Sequence, residues 1–333
     1  MNASFAEGSA TIRRRSLVRV RASMNRMMKS WCLALICCWL GLTARAQEEF
    51  VPAEIIQGAN EWLNDNIDER VLDTLGVDED RVRKFLADVQ RQFEGVYVYD
   101  LGAWRDSARQ IQPVLASYEE TEPYAAWLKT HLDYFDVAET LRTNVAAKGT
   151  NVVRLSAPSP NLERAVWVQV IEKRPAPPAA NKHLPRLKQI FAEEQVPAEL
   201  VWIAEVESSF DAKARSPAGA AGMFQLMPAT ARDLDLSVNL LRDERLNPEK
   251  SARAAARYLR KLYLRFGDWR LAFAAYNAGE GRVGALLKKH KARSFDDIAQ
   301  YLPSETQLYV PKLEATLRKR EGTTLAQLKL PGR

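Results

Sequence analysis

Residues 216 to 222 read Ser-Pro-Ala-Gly-Ala-Ala-Gly and carry almost no side-chain volume. Such a run cannot build a core. Its glycines reach dihedrals closed to other residues, and backbone can approach a ligand closely there. The stretch before it predicts a helix from Pro197, whose missing N–H suits a first helical position. Leu200, Ile203, Ala204 and Glu207 share one face at helical spacing. The apolar stripe that buries this helix therefore delivers a carboxylate at its C-terminal end. Apolar neighbours and the negative helix terminus both oppose ionisation of Glu207. An acid that keeps its proton near neutral pH is what general acid catalysis requires. Gln225 and Met227 follow the small-residue run, and the next helix is predicted to start near Pro228.

No strand-like alternation stands out from 183 onward, and the fold class expected is all-α. A helix after Pro185 carries Leu187, Ile190 and Phe191. Asn247-Pro248-Glu249 reads as N-cap, first helical residue and first-turn acid of an amphipathic helix through Phe266. Gly267 ends it, Asp268 opens the next, and that helix runs through Tyr276 and Asn277 to Val283. Further upstream, Val82, Phe85, Leu86, Val89 and Phe93 sit at helical spacing. So do Trp104, Ala108, Ile111 and Leu115, and then Tyr124, Trp127, Leu128 and His131. His131 on such a face reads as a hydrogen-bonded core histidine rather than a ligand. The aromatics of residues 48 to 148 read as core packing before a sugar groove.

The formal charge of +6 belongs to one end of the chain. Of 48 Lys and Arg, eight fall in residues 1–46, with one of the 42 Asp and Glu; the remaining 40 and 41 nearly cancel. A near-neutral body gives no electrostatic case for nucleic acid. Residues 1–46 read as a signal peptide, with Met24 a possible true start. Arg26 and Lys29 precede an apolar run from Trp31 to Leu42, too short to span a bilayer comfortably, and Ala44-Arg45-Ala46 is a small-x-small cleavage site. Export to the periplasm and a mature start at Gln47 are expected. Membrane association would then arise only through an uncleaved leader. Cys32, Cys37 and Cys38 all lie in this leader, so the mature chain is expected to use no disulfide, thiolate nucleophile or cysteine metal site.

The order expected is a helical region over 47–148, a proline-rich linker over 149–182 with an ordered stretch at Leu162 to Lys173, a catalytic domain over 183–320 and a tail over 321–333. Residues 47–148 show no chemistry of their own. They could receive cell-wall or division-machinery proteins, or lengthen a groove.

Glu207-Ser208-Ser209-Phe210, then Ala214-Arg215-Ser216-Pro217-Ala218-Gly219-Ala220-Ala221-Gly222-Met223-Phe224-Gln225-Leu226-Met227-Pro228-Ala229-Thr230-Ala231, resembles the soluble lytic transglycosylase domain, family 1. The membrane-bound type D branch is the nearer likeness, because Val206-Glu207-Ser208-Ser209-Phe210 and Leu302-Pro303-Ser304-Glu305-Thr306 both match it. The usual Gly-Leu-Met-Gln reads Gly222-Met223-Phe224-Gln225, which keeps both middle positions large and apolar. The likeness covers about residues 183 to 320.

That resemblance implies a lysozyme-like fold and cleavage of peptidoglycan glycan strands with no metal or organic cofactor. It implies that Glu207 is the catalytic acid and that Ser216, Gln225 and Met227 contact saccharide. It sets Tyr276 and Asn277 in an Ala-Tyr-Asn motif, with the tyrosine hydroxyl near the catalytic carboxylate. Glu305 and Tyr309 would help hold the sugar chain and position Tyr276. Glu305 could instead cap the terminal helix, and Tyr276 could be a packed core tyrosine. Only one carboxylate is convincingly placed, whereas glycoside hydrolysis usually employs two. The product implied is a 1,6-anhydro end on N-acetylmuramic acid. A lysozyme-type hydrolase and a non-catalytic wall-binding scaffold are the two other classes.

Overall fold

The computed structural model describes residues 89, 91–117, 122–146, 157–216, 218–239 and 242–328. The predicted leader, most of the Val82 to Phe93 stripe, Trp62 and Tyr118 lie outside the described residues. The described chain is all-α. Named strands are absent among these residues, and β pairing is confined to isolated bridges such as Ala221 with Leu226.

The order is α1 Val98–Gly102, α2 Arg105–Leu115, α3 Glu122–Ala146, α4 Pro160–Glu172, α5 Pro178–Glu193, a 3₁₀ turn Ala198–Trp202, and α6 Ile203–Ser208. Then follow α7 Pro228–Asp233, α8 Pro248–Phe266, α9 Trp269–Ala278, α10 Glu280–His290, α11 Phe295–Ile298 and α12 Ser304–Glu321. Local chemistry sets many of these ends. The Asn247 side chain accepts from the Glu249 and Lys250 amides at the start of α8. Gly267 closes it with φ 68°, and Asp268 caps α9 by accepting from the Leu271 amide. Each cap satisfies backbone groups that a helix end leaves open.

Four expectations shift. The helix expected after Pro185 already begins at Pro178, with Pro185 inside it on an exposed face, where water can reach the carbonyl that the proline leaves without its helical partner. The helix expected from Pro197 is a 3₁₀ turn followed by α6, and Pro197 precedes the first turn instead of starting it. The helix expected to run to Val283 breaks at Gly279, whose φ of 89° and ψ of 140° are open to glycine, so α9 and α10 are separate. The ordered stretch expected within the 149–182 linker is α4, which opens on a Ser159 cap and buries Val166, Trp167 and Ile171.

Two clusters of buried residues share α12. One gathers α5, α6, α8 and α9 with Tyr309, Val310, Leu313 and Leu317 of α12. The other gathers α1 to α4 with Leu308 and Ala315 of the same helix. Helix α12 is thus covered on both sides, as a helix deep inside a domain must be. Its burial includes a charge. Lys312, 2% exposed, places Nζ 2.9 Å from Asp133 of α3, and Arg174 reaches the same carboxylate at 2.7 Å. The Lys312 ammonium also lies 4.4 Å from the Tyr134 ring centre. The Asp133 carboxylate stays below its ordinary range although burial alone would raise it, because Lys312 and Arg174 outweigh that burial. The segment 92–96 grips the start of α12: the Ser304 amide donates to the Gly95 carbonyl and its hydroxyl to that of Gln92. The Gln307 side chain donates to Val96 O at 2.9 Å.

Candidate active site

Helix α6 is only six residues long and ends under strain. Ser209 and Phe210 both take left-handed backbone, with φ of 54° and 64°. Such residues cost about 1 to 3 kcal/mol each and persist where surrounding structure holds them. Buried Phe210 supplies that hold by packing edge-on against Trp202 at 5.5 Å. Within α6, Glu205 and Glu207 are two positions apart and so face different sides of the helix. Glu205 forms a buried pair with Arg320 at 2.7 Å and belongs to the scaffold. Asp211 is exposed and accepts from the Lys213 amide.

Glu207 is half-buried, and burial pushes its carboxyl up to about 8. The Tyr309 hydroxyl, which donates to its Oε1 at 2.5 Å, acts in the opposite direction; the charge of Glu305 raises it further. Near neutral pH this carboxyl holds its proton. The helix carrying it is too short for its dipole to rival burial.

The small-residue loop is a built object. Ser208 of α6 donates to the Met223 carbonyl at 2.8 Å, tying the acid's helix to the loop. Ser216 closes the turn: its amide donates to the Ala220 carbonyl and its hydroxyl accepts from the Ala220 amide. A Cβ on Gly222 would sit 1.9 Å from the Arg245 carbonyl oxygen, with φ at 79°, so only glycine fits. Gln225 takes φ 44° and donates its amide to the Gly222 carbonyl at 2.8 Å. Its side-chain N–H therefore serves the loop. Arg245 staples the whole turn from beneath. It is buried, pairs with Asp243 at 2.9 Å, and donates to the carbonyls of Gly219 and Leu226 at 2.7 and 2.9 Å. Nothing in the Asp243-x-Arg245 spacing reveals that reach. Met227 precedes α7, half-buried at the loop's end.

Both tyrosines lie within electrostatic range of Glu207, and the one hydrogen-bonded to its carboxyl is Tyr309. Tyr276 donates instead to the Phe224 carbonyl at 2.7 Å, a buried hydroxyl taking the acceptor within reach, and its ring leans on Tyr258. Burial and the nearby charge of Glu207 raise the hydroxyl pKa of both tyrosines. Asn277 bridges the other side: its Nδ2 donates to Glu305 Oε1 at 3.0 Å and its Oδ1 accepts from Thr306 at 2.6 Å. So Glu305 partners Asn277, the neighbour of Tyr276, from the first turn of α12. It brings a second carboxylate into electrostatic range of Glu207. His131 of α3 also reaches Glu305, with Nε2 3.6 Å from Oε1. Among the described residues no cluster of His, Cys, Asp and Glu could hold a metal ion, and none of their helices is long and apolar enough to cross a membrane.

Residues 188–299 match the family model of the transglycosylase SLT domain. Over 123 residues the chain is 45% identical to membrane-bound lytic murein transglycosylase D of Escherichia coli K12, covering 36% of this chain and 27% of that protein. It is 38% identical over 122 residues to the soluble lytic murein transglycosylase of Salmonella typhimurium, covering 34% and 19%. The chain thus spans about a quarter of the length of the first of these relatives and about a fifth of the second. Among solved structures, the 70 kDa soluble lytic transglycosylase of Escherichia coli is similar at 19% identity with a TM-score of 0.40, over 87% of this chain and 54% of that one. The family match ends at residue 299, before the helix that carries Glu305 and Tyr309.

Proposed function

We propose that this chain, which carries a transglycosylase SLT domain at residues 188–299, is an exported lytic transglycosylase that cleaves peptidoglycan between N-acetylmuramic acid and N-acetylglucosamine without adding water. The observation that carries the reading is Glu207: a half-buried carboxyl held protonated to about pH 8, hydrogen-bonded by Tyr309, on a helix that Ser208 ties to the small-residue loop.

Glu207 protonates the glycosidic oxygen as the bond to the anomeric carbon breaks. Positive charge develops on that carbon, and the acetamido oxygen of the same muramic sugar stabilises it. Glu207, now a carboxylate accepting from Tyr309, removes the proton of the sugar's 6-hydroxyl as that oxygen closes onto the anomeric carbon. The proton given and the proton taken balance, and a 1,6-anhydro ring forms. An attacker within the substrate has an advantage over water on the order of several kcal/mol. Ser216, Gln225 and Met227 shape one side of the groove for saccharide, and Tyr276, Asn277, Glu305 and Tyr309 the other.

A hydrolytic reading has one observation in its favour, the second carboxylate of Glu305. That carboxyl is kept below its ordinary range, because His131, Asn277 and Lys312 outweigh the burial that would raise it. It would remain an anion throughout, available to a water. Mass analysis of sugars released from purified peptidoglycan separates the two: anhydro products are about 18 Da lighter than hydrolysis products.

Export rests on the basic, apolar and small-residue order of Arg26 to Ala46. N-terminal sequencing of protein from its native host should begin at Gln47. A retained leader would instead favour a membrane anchor.

A further inference from the structure

Helix α3 lies outside the matched SLT segment, yet one of its side chains reaches the pocket. His131 is fixed on three sides by aromatic rings. It stacks on Tyr134 at 5.2 Å, leans on Trp127 at 4.7 Å and meets Phe93 edge-on at 5.3 Å. Its Nδ1 is engaged by the Trp127 carbonyl at 2.8 Å and the Thr130 hydroxyl at 3.1 Å, which leaves Nε2 as the free ring nitrogen. The ring can then point Nε2 in one direction, and 3.6 Å away stands Glu305 Oε1. That separation exceeds a hydrogen bond and lies within ion-pair range. The histidine side chain is 13% exposed and the carboxylate 32%, so the pair is partly shielded from water. The other charged groups packed here are Lys312 and Asp133, which engage each other one turn beyond Tyr309, with Arg174 on the far oxygen of Asp133. Lys312 adds to the field that keeps Glu305 charged, while His131 and Asn277 are its near partners.

We propose that His131 is a positioning residue of the active site: held by α3, it fixes the Glu305 carboxylate as an anion next to Glu207, so that α3 is part of the catalytic unit. The inference rests on the reading of Glu207 as the catalytic acid. Its electrostatic link runs in one direction through two carboxylates. His131 keeps Glu305 charged, and charged Glu305 discourages Glu207 from losing its proton. Without His131, Glu305 competes for the proton that Glu207 must donate. The single histidine on an aromatic helix face gave no sign of this, because its partner lies far along the chain.

The test uses the full chain in five forms: wild type, His131→Leu, His131→Gln, Glu305→Gln, and His131→Leu combined with Glu305→Gln. Carboxyl-carbon NMR reads the titration of Glu305, assigned by its loss in Glu305→Gln. In His131→Leu the Glu305 midpoint should rise by about one pH unit or more, and His131→Gln, which keeps a donor, should restore part of it. The kcat for glycan cleavage should fall about tenfold in His131→Leu with KM within about threefold and Tm unchanged. In the Glu305→Gln background the same change should cost less than about twofold. An unmoved Glu305 midpoint overturns the proposal, as does an unchanged kcat, or an equal kcat loss with and without Glu305. If His131→Leu does not fold, a His131→Gln chain whose Glu305 midpoint and kcat both equal those of wild type also overturns it. A wild-type chain that releases no anhydro-sugar defeats the functional reading instead, and the NMR titration still decides the His131 to Glu305 link.

Discussion

Residues 197–231 and residues 89–172 meet at the same pocket by different routes. The first region is local: Glu207 and the Ser216 to Met227 loop lie within one short stretch, and Ser208 ties them together across 15 positions. The second is remote: His131 and Asp133 meet Glu305 and Lys312 from about 170 to 180 positions away. Chemistry carried by a local motif needs particular residues at particular spacing, so it leaves a pattern in the sequence. Chemistry carried by packing needs only that two helix faces fit, and many sequences satisfy that. The shared helix α12 shows the cost of that freedom. It is buried on both faces, yet its buried set includes Thr306, Gln307, Lys312 and Thr316, and no clean apolar stripe advertises it.

The local side should break hardest. Glu207→Gln keeps shape but can neither donate nor accept the proton in turn. Its kcat should drop about 10³-fold or more while glycan binding persists, measured by turnover and by pull-down on insoluble peptidoglycan. The same variant sharpens the electrostatics. The folded-state pKa of Glu207 lies above its unfolded value, so its contribution to stability is complete below about 4.5 and is lost as pH rises through about 8. Glu207→Gln should therefore match wild type near pH 4 and exceed it by a few kcal/mol at pH 9, read by denaturant unfolding. Wild-type activity should fall above about pH 8 for the same reason.

The remote side should break through stability. Lys312→Ala leaves Asp133 buried with Arg174 as its remaining cation, and a broken buried pair costs about 3 to 5 kcal/mol. Thermal unfolding of the full chain measures it. An unchanged Tm would mean that α3 and α12 are not held together as described. By the same packing, residues 178–333 alone should lose solubility or helical content, since Leu308, Lys312 and Ala315 would face water. A folded, active fragment would show that the region before it is separable, as its proline-rich breaks first suggest.

Smaller effects distinguish the two tyrosines. Tyr309→Phe removes the donor to Glu207 and should lower kcat about 10-fold to 100-fold, shifting the alkaline limb upward, because that hydrogen bond holds the carboxyl down. Tyr276→Phe leaves the Phe224 carbonyl without its hydroxyl partner and should cost about 1 to 2 kcal/mol of stability with a lesser change in kcat. Equal effects of the two on kcat would contradict the assignment of Tyr309 as the carboxylate's partner.

What the sequence allowed follows from these ranges of interaction. Helix caps at Asn247, Gly267 and Asp268 were readable because the capping residue and its target lie within four positions. Glu207 was readable because its apolar face and its loop adjoin it. The choice between Tyr276 and Tyr309 was not, since either hydroxyl can serve and only the packing of α9 and α12 decides. Arg245 was missed because its acceptors are backbone carbonyls, which every residue has. The Glu305 to His131 approach was missed because a histidine among aromatics looks like core from its own helix.

The central claim is that one protonated carboxyl, Glu207, drives a cleavage in which the substrate's own hydroxyl replaces water. Mass analysis of sugars released from purified peptidoglycan by the full chain tests it most directly, with Glu207→Gln run in parallel. Wild type should release 1,6-anhydro-muropeptides, about 18 Da lighter than their hydrolysed counterparts, and the variant almost none. Reducing-end muramic acid as the main product, or full release by Glu207→Gln, would contradict it.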